Sequence, residues 1–361
     1  MPETPISEMA VYSARPTVRI NSQEYAKVSE LVIGMEMTEQ EGGMSTLELR
    51  LSNVASEPEG GADLAFEDDA ILTLGATIGI YGGEELAPVE VFTGTIMAVE
   101  AHFPEEGPPE LVVLAEDALQ KARIERRTAT YDDMSVSDLV SEIAGRLGLT
   151  PIVTGLTDNI GTWVQFNESD LAFLRRVLTR YDGDVQVVGD ELHVSPRADV
   201  QRGTPELEMH SQLRRVRVIA DLADQTTEVT VTGWDPIQGR RVSGAATGTN
   251  LAPGSGQTGS QVLRDAIGER RHHLSHLTAS TDEEATALAE AAFDRRARRF
   301  VVVDATSEGN PVLRVGTHVT LTGMGERFDN TYYIVRACHR WDDETGYWTD
   351  FEAECAYWGG G

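Results

Sequence analysis

The chain has 361 residues and a formal net charge of −29, and 40% of its residues are hydrophobic. Its length suggests two or three domains. The acidic excess argues against nucleic acid as a main ligand, because binding phosphates requires a basic surface. Only two of the 30 basic residues are lysines, Lys27 and Lys121. A GC-rich genome and a salt-adapted acidic surface are alternative reasons for this bias, and the genome is favoured.

Other sequence totals exclude further classes of protein. No apolar run approaches the ~18 residues of a membrane-spanning helix, and the N-terminus lacks the basic start and apolar core of a secretory signal. We therefore expect assembly in the cytoplasm. The two cysteines, Cys338 and Cys355, form no CxxC pair. This spacing favours neither structural zinc nor a disulfide framework.

The first third of the chain reads as short strands with partial period-two alternation, separated by Gly, Pro, Asn and Asp. These segments are PTVRIN, LVIGMEM, STLELRLSN, DAILTLGATIGIYGG, PVEVFTGTIMAVEAHF and ELVVLAED. Six strands at this spacing predict a barrel or small sandwich, which we place at residues 1–118.

The next segment, residues 119–203, is predicted to be a small α+β domain. MSVSDLVSEIAGRLGL has apolar residues at helical spacing, with Ser135 and Asp138 at its start and Gly148 at its end. NESDLAFLRRVLTRYDGD predicts a second helix, for which Asn167 is the expected cap. Two short strands, VQVVG and ELHVSP, follow.

Residues 204–361 return to strands and are predicted to form a second barrel. RRVRVIAD, TTEVTVTGWDP and GRRVSGAAT precede a Gly-, Ser- and Thr-rich stretch at 244–260, which predicts a flexible loop. STDEEATALAEAAFDRRARRF predicts a helix over 281–299, with a capping box formed by Thr281 and Glu284. The strands THVTLTG, YYIVRACHRW and GYWTDFEAECAYW end the chain.

Candidate metal and carboxylate sites are weak. His272 and His276 lie four residues apart, but His273 occupies the position at which a zincin needs Glu. We therefore interpret them as polar residues near a helix or strand end. The acid pairs Asp68/Asp69 and Asp132/Asp133 lack the alternation and Gly turn of a calcium loop, so solvated turns are favoured. We predict no catalytic residues, no metal site and no cofactor.

Glycine-rich phosphate motifs are also missing from the sequence. No strand is followed by GxGxxG or GxxxxGK[ST], and no GxSxG elbow occurs. GMGERF, which begins at Gly323, lies between two predicted strands and so predicts a hairpin turn.

The stretch RACHRWDDETGYWTDFEAE gathers a Cys, a His and several acids. If Trp341 faces Tyr347 across a hairpin, the apolar residues collect on one face, whereas a one-residue slip mixes the faces. This register pairs His339 with Thr349, Ala337 with Phe351, Val335 with Ala353, and Tyr333 with Cys355; on the other face it pairs Arg336 with Glu352 and Cys338 with Asp350. It predicts a buried, neutral His339 bonded to Thr349, and cysteines that point to opposite faces.

Four segments together resemble the phage late control gene D family. The first is the hairpin region NPVLRVGTHVTLTGMGERFDNTYYIVRACHRWDDETGYWTDFEAE, and the second is QFNESDLAFLRRVLTRYDGDVQVVGDELHV. The others are VFTGTIMAVEAHF with the following ELVVLAEDALQKARIERRTATYDDMSVSDLVSEIAGRLGL, and VTVTGWDP. They occur in order along almost the whole chain. The resemblance singles out these residues as structural: His339, Thr349, Phe351, Tyr333, Gly316, Gly323, Asp170 and Phe173.

The resemblance implies a baseplate hub of a contractile injection system, similar to the N-terminal hub part of type VI secretion spike proteins. In that family two tube-like barrels per chain form a pseudo-sixfold ring as a homotrimer, which matches a hexameric inner tube to a trimeric spike. The expected partners are the inner tube protein, a separate spike protein, and baseplate wedge or sheath-proximal proteins. The particle is phage tail-like, and its release from the cell stays open.

Two alternatives from other classes stay open at this point. One is a cell-wall (peptidoglycan) hydrolase, which would need two carboxylates with separated pKa values in a cleft. The other is a carbohydrate-binding module of the tail tip.

Overall fold

The computed structural model describes residues 15–56, 62–68, 70–84, 87–158, 160–248, 251, 253–275 and 279–359. The elements of the first third are β1 (Thr17–Ile20), β2 (Gln23–Glu24), α1 (Ala26–Glu30), β3 (Val32–Gln40), β4 (Thr46–Ser52), β5 (Val54–Ser56), β6 (Ala62–Leu64), β7 (Thr77–Glu84), β8 (Ala87–His102) and β9 (Glu110–Glu116). Each of the six predicted strand segments holds a strand.

The middle of the chain contains three of the six helices described. Its elements are α2 (Gln120–Ile124), β10 (Arg126–Tyr131), α3 (Val136–Leu147), β11 (Thr150–Val153), β12 (Trp163–Ser169), α4 (Asp170–Arg180), β13 (Gly183–Val188), β14 (Glu191–Pro196) and a 3-10 turn (Arg197–Asp199).

The last part returns to strands around two helices. Its elements are β15 (Glu206–Glu208), β16 (Leu213–Ala220), β17 (Glu228–Asp235), β18 (Arg240–Ala246), β19 (Gln257–Thr258), α5 (Gly259–Ala266), β20 (Arg271–Leu274), α6 (Asp282–Arg298), β21 (Val301–Glu308), β22 (His318–Thr322), β23 (Asn330–Asp342), β24 (Gly346–Cys355) and β25 (Tyr357–Trp358).

The predicted helix ends are confirmed at α3 and corrected at α4. Ser135 and Asp138 form a capping box at the start of α3, and Gly148 ends it with φ +70°. The cap of α4 is Ser169, whose hydroxyl accepts the Ala172 N–H. The expected cap, Asn167, instead lies inside β12 with φ +49°. The prediction failed because Ser169 is a second good capping residue close by.

Two further predictions in the last part need correction. The stretch 244–260 is not a single loop, because β18 extends to Ala246 and Thr258 begins α5 with a capping box. The α6 helix lies within the predicted range, and Thr281 accepts the Glu284 N–H as expected. The carboxylate of Glu284, however, accepts the N–H of Ser280, so the reciprocal half of the predicted box is shifted by one residue.

Among the described residues, a 13-stranded sheet connects the first third of the chain with the last part. Its main order is β16-β21-β24-β23-β3-β4-β9-β8-β7-β1-β2, with β22 beside β23 and β15 beside β22. The antiparallel pair β23–β3 joins the late strands to the early ones, with Arg336 opposite Gln40 and Asp342 opposite Gly34. The predicted mainly β class is therefore confirmed, with one large sheet and several helices.

Eight consecutive strands of this sheet form two equivalent units. The first four-strand unit is β3-β4-β9-β8, and the second four-strand unit is β16-β21-β24-β23. In both units the first two strands along the chain are neighbours, and the last strand along the chain lies between the second and the third. All neighbouring pairs are antiparallel. The bulges also match. The first strand of each unit in this spatial order has a bulge, at Ile33 in β3 and at Arg214 in β16. The fourth strand in the spatial order also has a bulge in each unit, at Met97 in β8 and at Val335 in β23.

Four apolar clusters of described residues lie around this sheet. The first is formed mainly by residues up to Ala115, but it also contains Trp341 and Tyr347 from the β23–β24 hairpin. The second lies between α2–α4 and β13–β14, the third under the second four-strand unit, and the fourth between α6 and the small sheet β18-β17-β20. The hairpin therefore contributes to the first core as well as the third.

Candidate functional site

The predicted register of the β23–β24 hairpin is confirmed over its outer half. Trp341 lies opposite Tyr347, His339 opposite Thr349 and Ala337 opposite Phe351. The other face pairs Arg336 with Glu352 and Cys338 with Asp350, as expected. Both cysteines are free and buried.

The inner half of the same hairpin differs from the prediction. The bulge at Val335 places Ile334 opposite Ala353 and Tyr333 opposite Glu354, one residue away from the expected partners. An extra residue in one strand shifts every later pair. Polarity alternation does not reveal it here, because Tyr332, Tyr333 and Ile334 are all buried.

His339 is fully buried inside the sheet. Its Nδ1 lies 2.8 Å from the Tyr347 hydroxyl and 3.3 Å from the Thr349 hydroxyl. The bond to Thr349 was expected, and the shorter contact to Tyr347 was not. Burial, assisted by the nearby charge of Arg314, lowers the pKa of His339 to about 4. The imidazole is therefore neutral at neutral pH, as predicted.

A buried ion pair lies beside this histidine. The Arg314 Nη2 is 2.7 Å from Glu39 Oε2, and the Val315 N–H donates to Glu39 Oε1 at 2.5 Å. Glu39 is 3% exposed. Burial alone would raise the pKa of Glu39, but Arg314 and the Val315 N–H outweigh it and hold the pKa below its usual value. This pair links β3 to the segment before β22.

Tyr333 lies in a second buried charge cluster, which we call the arginine junction: Arg197, Arg298, Glu41, Glu354, Asp182 and Tyr333. The Arg197 guanidinium carbon is 3.6 Å from the centroid of the Tyr333 ring. Arg197 Nε donates to Glu41 at 2.7 Å, and its Nη2 bonds to Glu354. Since Glu41 follows β3, Arg197 follows β14 and Glu354 lies in β24, the junction joins all three parts of the chain.

Arg298 completes the arginine junction from α6. Its guanidinium makes two bonds to the Asp182 carboxylate, at 2.6 and 2.8 Å. Both Arg197 and Arg298 are 3% exposed. Burial raises the pKa of Glu354, and the two arginines only partly offset that effect. No local motif in the sequence points to the junction, because its members are up to 313 residues apart along the chain.

Asp170 and Phe173 lie at the start of α4, in the core of the middle segment. Asp170 accepts from Gln165 Nε2 at 2.9 Å and from Arg146 Nη2 at 3.1 Å. The Tyr131 hydroxyl donates to Gln165 at 3.0 Å. The Phe173 ring stacks on Tyr131 with centroids 5.3 Å apart. These contacts connect β10, α3, β12 and α4.

The two highlighted glycines occupy turns that favour glycine. Gly316 has φ +88°, and a side chain there would meet Arg202 and Val200. Gly323 has φ +81° and lies in the connection between the antiparallel strands β22 and β23, as predicted. Asp329 accepts the N–H groups of Gly323 and Met324 across this turn.

Asp117 lines a groove beside the buried ion pair. Its carboxylate accepts the Ser45 N–H at 2.6 Å and the Leu119 N–H at 2.9 Å. Burial is the main reason why its pKa rises to about 6. The groove has a volume of about 400 Å³, and Arg202 and Arg314 are also among its lining residues. Sequence spacing did not single out this carboxylate as unusual.

Among the residues of the weak metal and carboxylate motifs, Asp68 and Asp132 are exposed and His272 is half-buried. His272 is in β20, near Arg296 Nη2 at 3.1 Å, while His276 lies outside the described residues. Asp132 accepts the Thr162 hydroxyl, and Asp69 also lies outside the described residues. Within the described ranges, no three His, Cys, Asp or Glu side chains are arranged to hold a metal ion. None of the described helices is long and apolar enough to span a membrane.

Solved structures with this fold come from phage tails and secretion systems. The 43 kDa tail protein of prophage MuSo2 from Shewanella oneidensis aligns with a TM-score of 0.68 at 12% identity, covering 94% of this chain and 97% of that chain. A tail protein from Neisseria meningitidis MC58 aligns with a TM-score of 0.66 at 10% identity, covering 95% and 99%.

A third similar structure is the Escherichia coli c3393 protein. It is described as a type VI secretion component with structural similarity to the T4 tail proteins gp27 and gp5. It has a TM-score of 0.58 and 12% identity, and covers 95% of this chain and 79% of that chain. The fold is therefore that of phage tail and type VI secretion proteins, which confirms the resemblance at the level of fold.

Sequence comparisons give one family. No curated protein matches the chain. A family model described as the Alg8 N-terminal domain matches residues 20–343, which is most of the 361 residues. The chain therefore belongs to the Alg8 N-terminal domain family.

Proposed function

We propose that this protein is the structural baseplate hub of a contractile injection system. In this proposal it is a homotrimer that joins a hexameric inner tube to a separate trimeric spike and nucleates tube assembly. The observation that carries the proposal is the internal duplication: each chain holds two equivalent four-strand units with matching bulges. Three chains would present six such units, which is the match that a sixfold tube requires.

The arrangement of charges supports a structural role. The arginine junction and the Glu39–Arg314 pair bind segments from different parts of the chain. Buried ion pairs are a poor source of net stability, and we propose that these pairs instead fix the relative placement of the elements they join. A hub that transmits contraction requires such fixed placement. We further propose that residues 1–118 and 204–361 form the two tube-like barrels and that residues 119–203 form the insert between them.

The test is reconstitution with the tube protein. Purified hub should have three times the mass of one chain by mass photometry, and it should shorten the lag of tube polymerisation at substoichiometric amounts. Electron microscopy should then place threefold density at one tube end only. A monomer that neither binds tube protein nor changes the lag would overturn the proposal.

A specific observation favours one alternative, the cell-wall hydrolase. Asp117 has a pKa of about 6 and is influenced by the charge of Glu39, whose pKa is lowered. Two carboxylates with separated pKa values are what glycoside hydrolysis uses. Against this, both carboxylates are at least 95% buried and accept backbone N–H groups. Peptidoglycan turnover that Asp117→Asn abolishes would support the hydrolase.

A further inference from the structure

The two ends of the eight-strand array have free edges. Residues 98–102 of β8 pair with β9 on one side, and within the described ranges no strand pairs with the other side. At the other end, β16 pairs with β21 alone among the described strands. An unpaired edge exposes backbone N–H and C=O groups that can bind another strand.

Inside the chain, the fourth strand of one unit already pairs with the first strand of the other unit. The fourth strand of the second unit, β23, pairs antiparallel with the first strand of the first unit, β3. Its equivalent in the first unit is β8, and the equivalent of β3 is β16. Within the array β8 runs parallel to β23 and β16 runs parallel to β3, so β8 of one copy can pair antiparallel with β16 of the next.

The matching bulges fix the register of such a pair. Ala98 and Arg336 both follow a bulge in the fourth strand, and Gly34 and Arg215 both follow a bulge in the first. The internal pair His339–Met37 therefore corresponds to Ala101 opposite Val218. By the same step Trp341–Met35 corresponds to Phe103 opposite Val216.

The apolar surfaces at the two edges fit this register. Inside the chain, Met35 and Trp341 are each 5% exposed, and both belong to the first core. Their equivalents are incompletely covered: Val216 is a half-buried residue at the rim of the third core, and Phe103 is 64% exposed. Phe103 of a second copy would cover that rim as Trp341 covers the first core.

The charges near the edges are also complementary. β16 carries three exposed arginines, Arg214, Arg215 and Arg217. The β8–β9 hairpin carries three exposed acids, Glu100, Glu105 and Glu106. Opposite charge on the two surfaces favours this pairing over contact between like edges.

We propose that β8 of one copy pairs antiparallel with β16 of a second copy, with Ala101 opposite Val218 and Phe103 opposite Val216. The partner is thus another copy of this chain. The inference rests on the proposed homotrimer, and it specifies the surface through which the ring closes.

Disulfide trapping between two differently tagged, co-expressed chains tests the register. One chain carries Ala101→Cys and the other Val218→Cys. Directly opposed residues lie about 4.5–5.5 Å apart between Cα atoms, within the range of a disulfide. We expect a disulfide-linked product that contains both tags and that reduction removes. The matched control replaces Val218→Cys with Ile219→Cys, which points to the other face and should give little product.

Edge variants provide the second arm. Phe103→Lys and Val218→Lys should each weaken self-association at least tenfold in mass photometry. Ile237→Lys, at a hairpin tip that is 95% exposed, should not. Circular dichroism establishes that each variant is folded. A trimer that forms without the 101–218 disulfide and survives both edge variants would overturn this interface and leave the hub intact. A monomer at all concentrations would overturn both.

Discussion

Arg197 lies over Tyr333 at 3.6 Å and bonds to both Glu41 and Glu354, so one side chain holds three parts of the chain together. Burial lowers the pKa of Arg197, but Glu354 and Glu41 outweigh it and raise the pKa overall. The side chain therefore stays charged at any pH at which the protein is folded. Its partner Glu354 depends on it, because a buried carboxylate without a cation is costly.

Arg197→Met should accordingly destabilise the protein by about 3–5 kcal/mol, because it leaves Glu354 buried with less compensation. Urea unfolding monitored by tryptophan fluorescence measures the change. The control is Arg271→Met, which breaks an exposed pair with Glu269 in which the side chains are 67% and 61% exposed. Such pairs contribute about 0–1 kcal/mol. Equal losses for the two variants would contradict a special role for the junction.

His339 should make stability depend on pH. Its folded pKa of about 4 lies below the ordinary value of 6.5. Above pH 6.5 both states are neutral and the histidine has no pH effect. As the pH falls from 6.5 to 4, the unfolded chain binds a proton that the folded chain does not, so stability is lost, by about 3 kcal/mol in all.

The measurement compares wild type with His339→Gln at several pH values. At pH 7 the variant should be less stable, because it replaces a buried, bonded ring, and this deficit should shrink as the pH falls from 6.5 to 4. Thr349→Val keeps the imidazole and should keep the pH dependence of wild type. A constant deficit for His339→Gln would show that His339 does not titrate abnormally.

Asp117 acts in the opposite sense, since its stabilising effect is lost as the pH rises from 3.8 through about 6.

Patterns in the sequence predicted what local physics decides. Alternation gave the strands of the first third, and the register of Trp341 to Arg336 followed from keeping apolar residues on one face. The alternation of apolar and polar residues did not predict the bulge at Val335, because the extra residue lies in a run of apolar residues. It also could not show that β23 pairs with β3, because that contact spans about 300 residues and depends on the whole sheet. The arginine junction was missed for the same reason.

Gly244 allows α6 to lie close to β18. A Cβ at this position would be 2.2 Å from the Thr286 backbone nitrogen and 2.3 Å from the Ala285 carbonyl carbon. Backbone at that distance has to move, so Gly244→Ala should destabilise by about 1–3 kcal/mol. Gly145→Ala is the control, since its position on α3 is exposed and open. There the substitution should stabilise by about 0.5–1 kcal/mol, because alanine favours the helix. Thermal unfolding that shows the same sign for both would rule out the close approach.

Asp170 should be the most sensitive position of the middle segment. It is 3% exposed and accepts from Gln165 and Arg146, while Arg127 Nε lies 3.8 Å away. Asp170→Ala leaves these donors without their acceptor and should cost about 2–4 kcal/mol. Asp170→Asn keeps one acceptor and should cost less.

The matched control for Asp170 is Glu168→Ala, two residues earlier. Glu168 bonds to Arg176, whose side chain is 46% exposed, so its loss should cost about 1 kcal/mol or less. Proteolysis in native buffer adds a local readout, because destabilising α4 should expose residues 163–180 to cleavage before the rest of the chain unfolds. If Asp170→Ala and Glu168→Ala lose the same stability, the buried acceptor is not what holds the start of α4. A larger loss for Asp170→Ala, with Asp170→Asn between the two, identifies the carboxylate itself as the group that fixes this helix against β10 and β12.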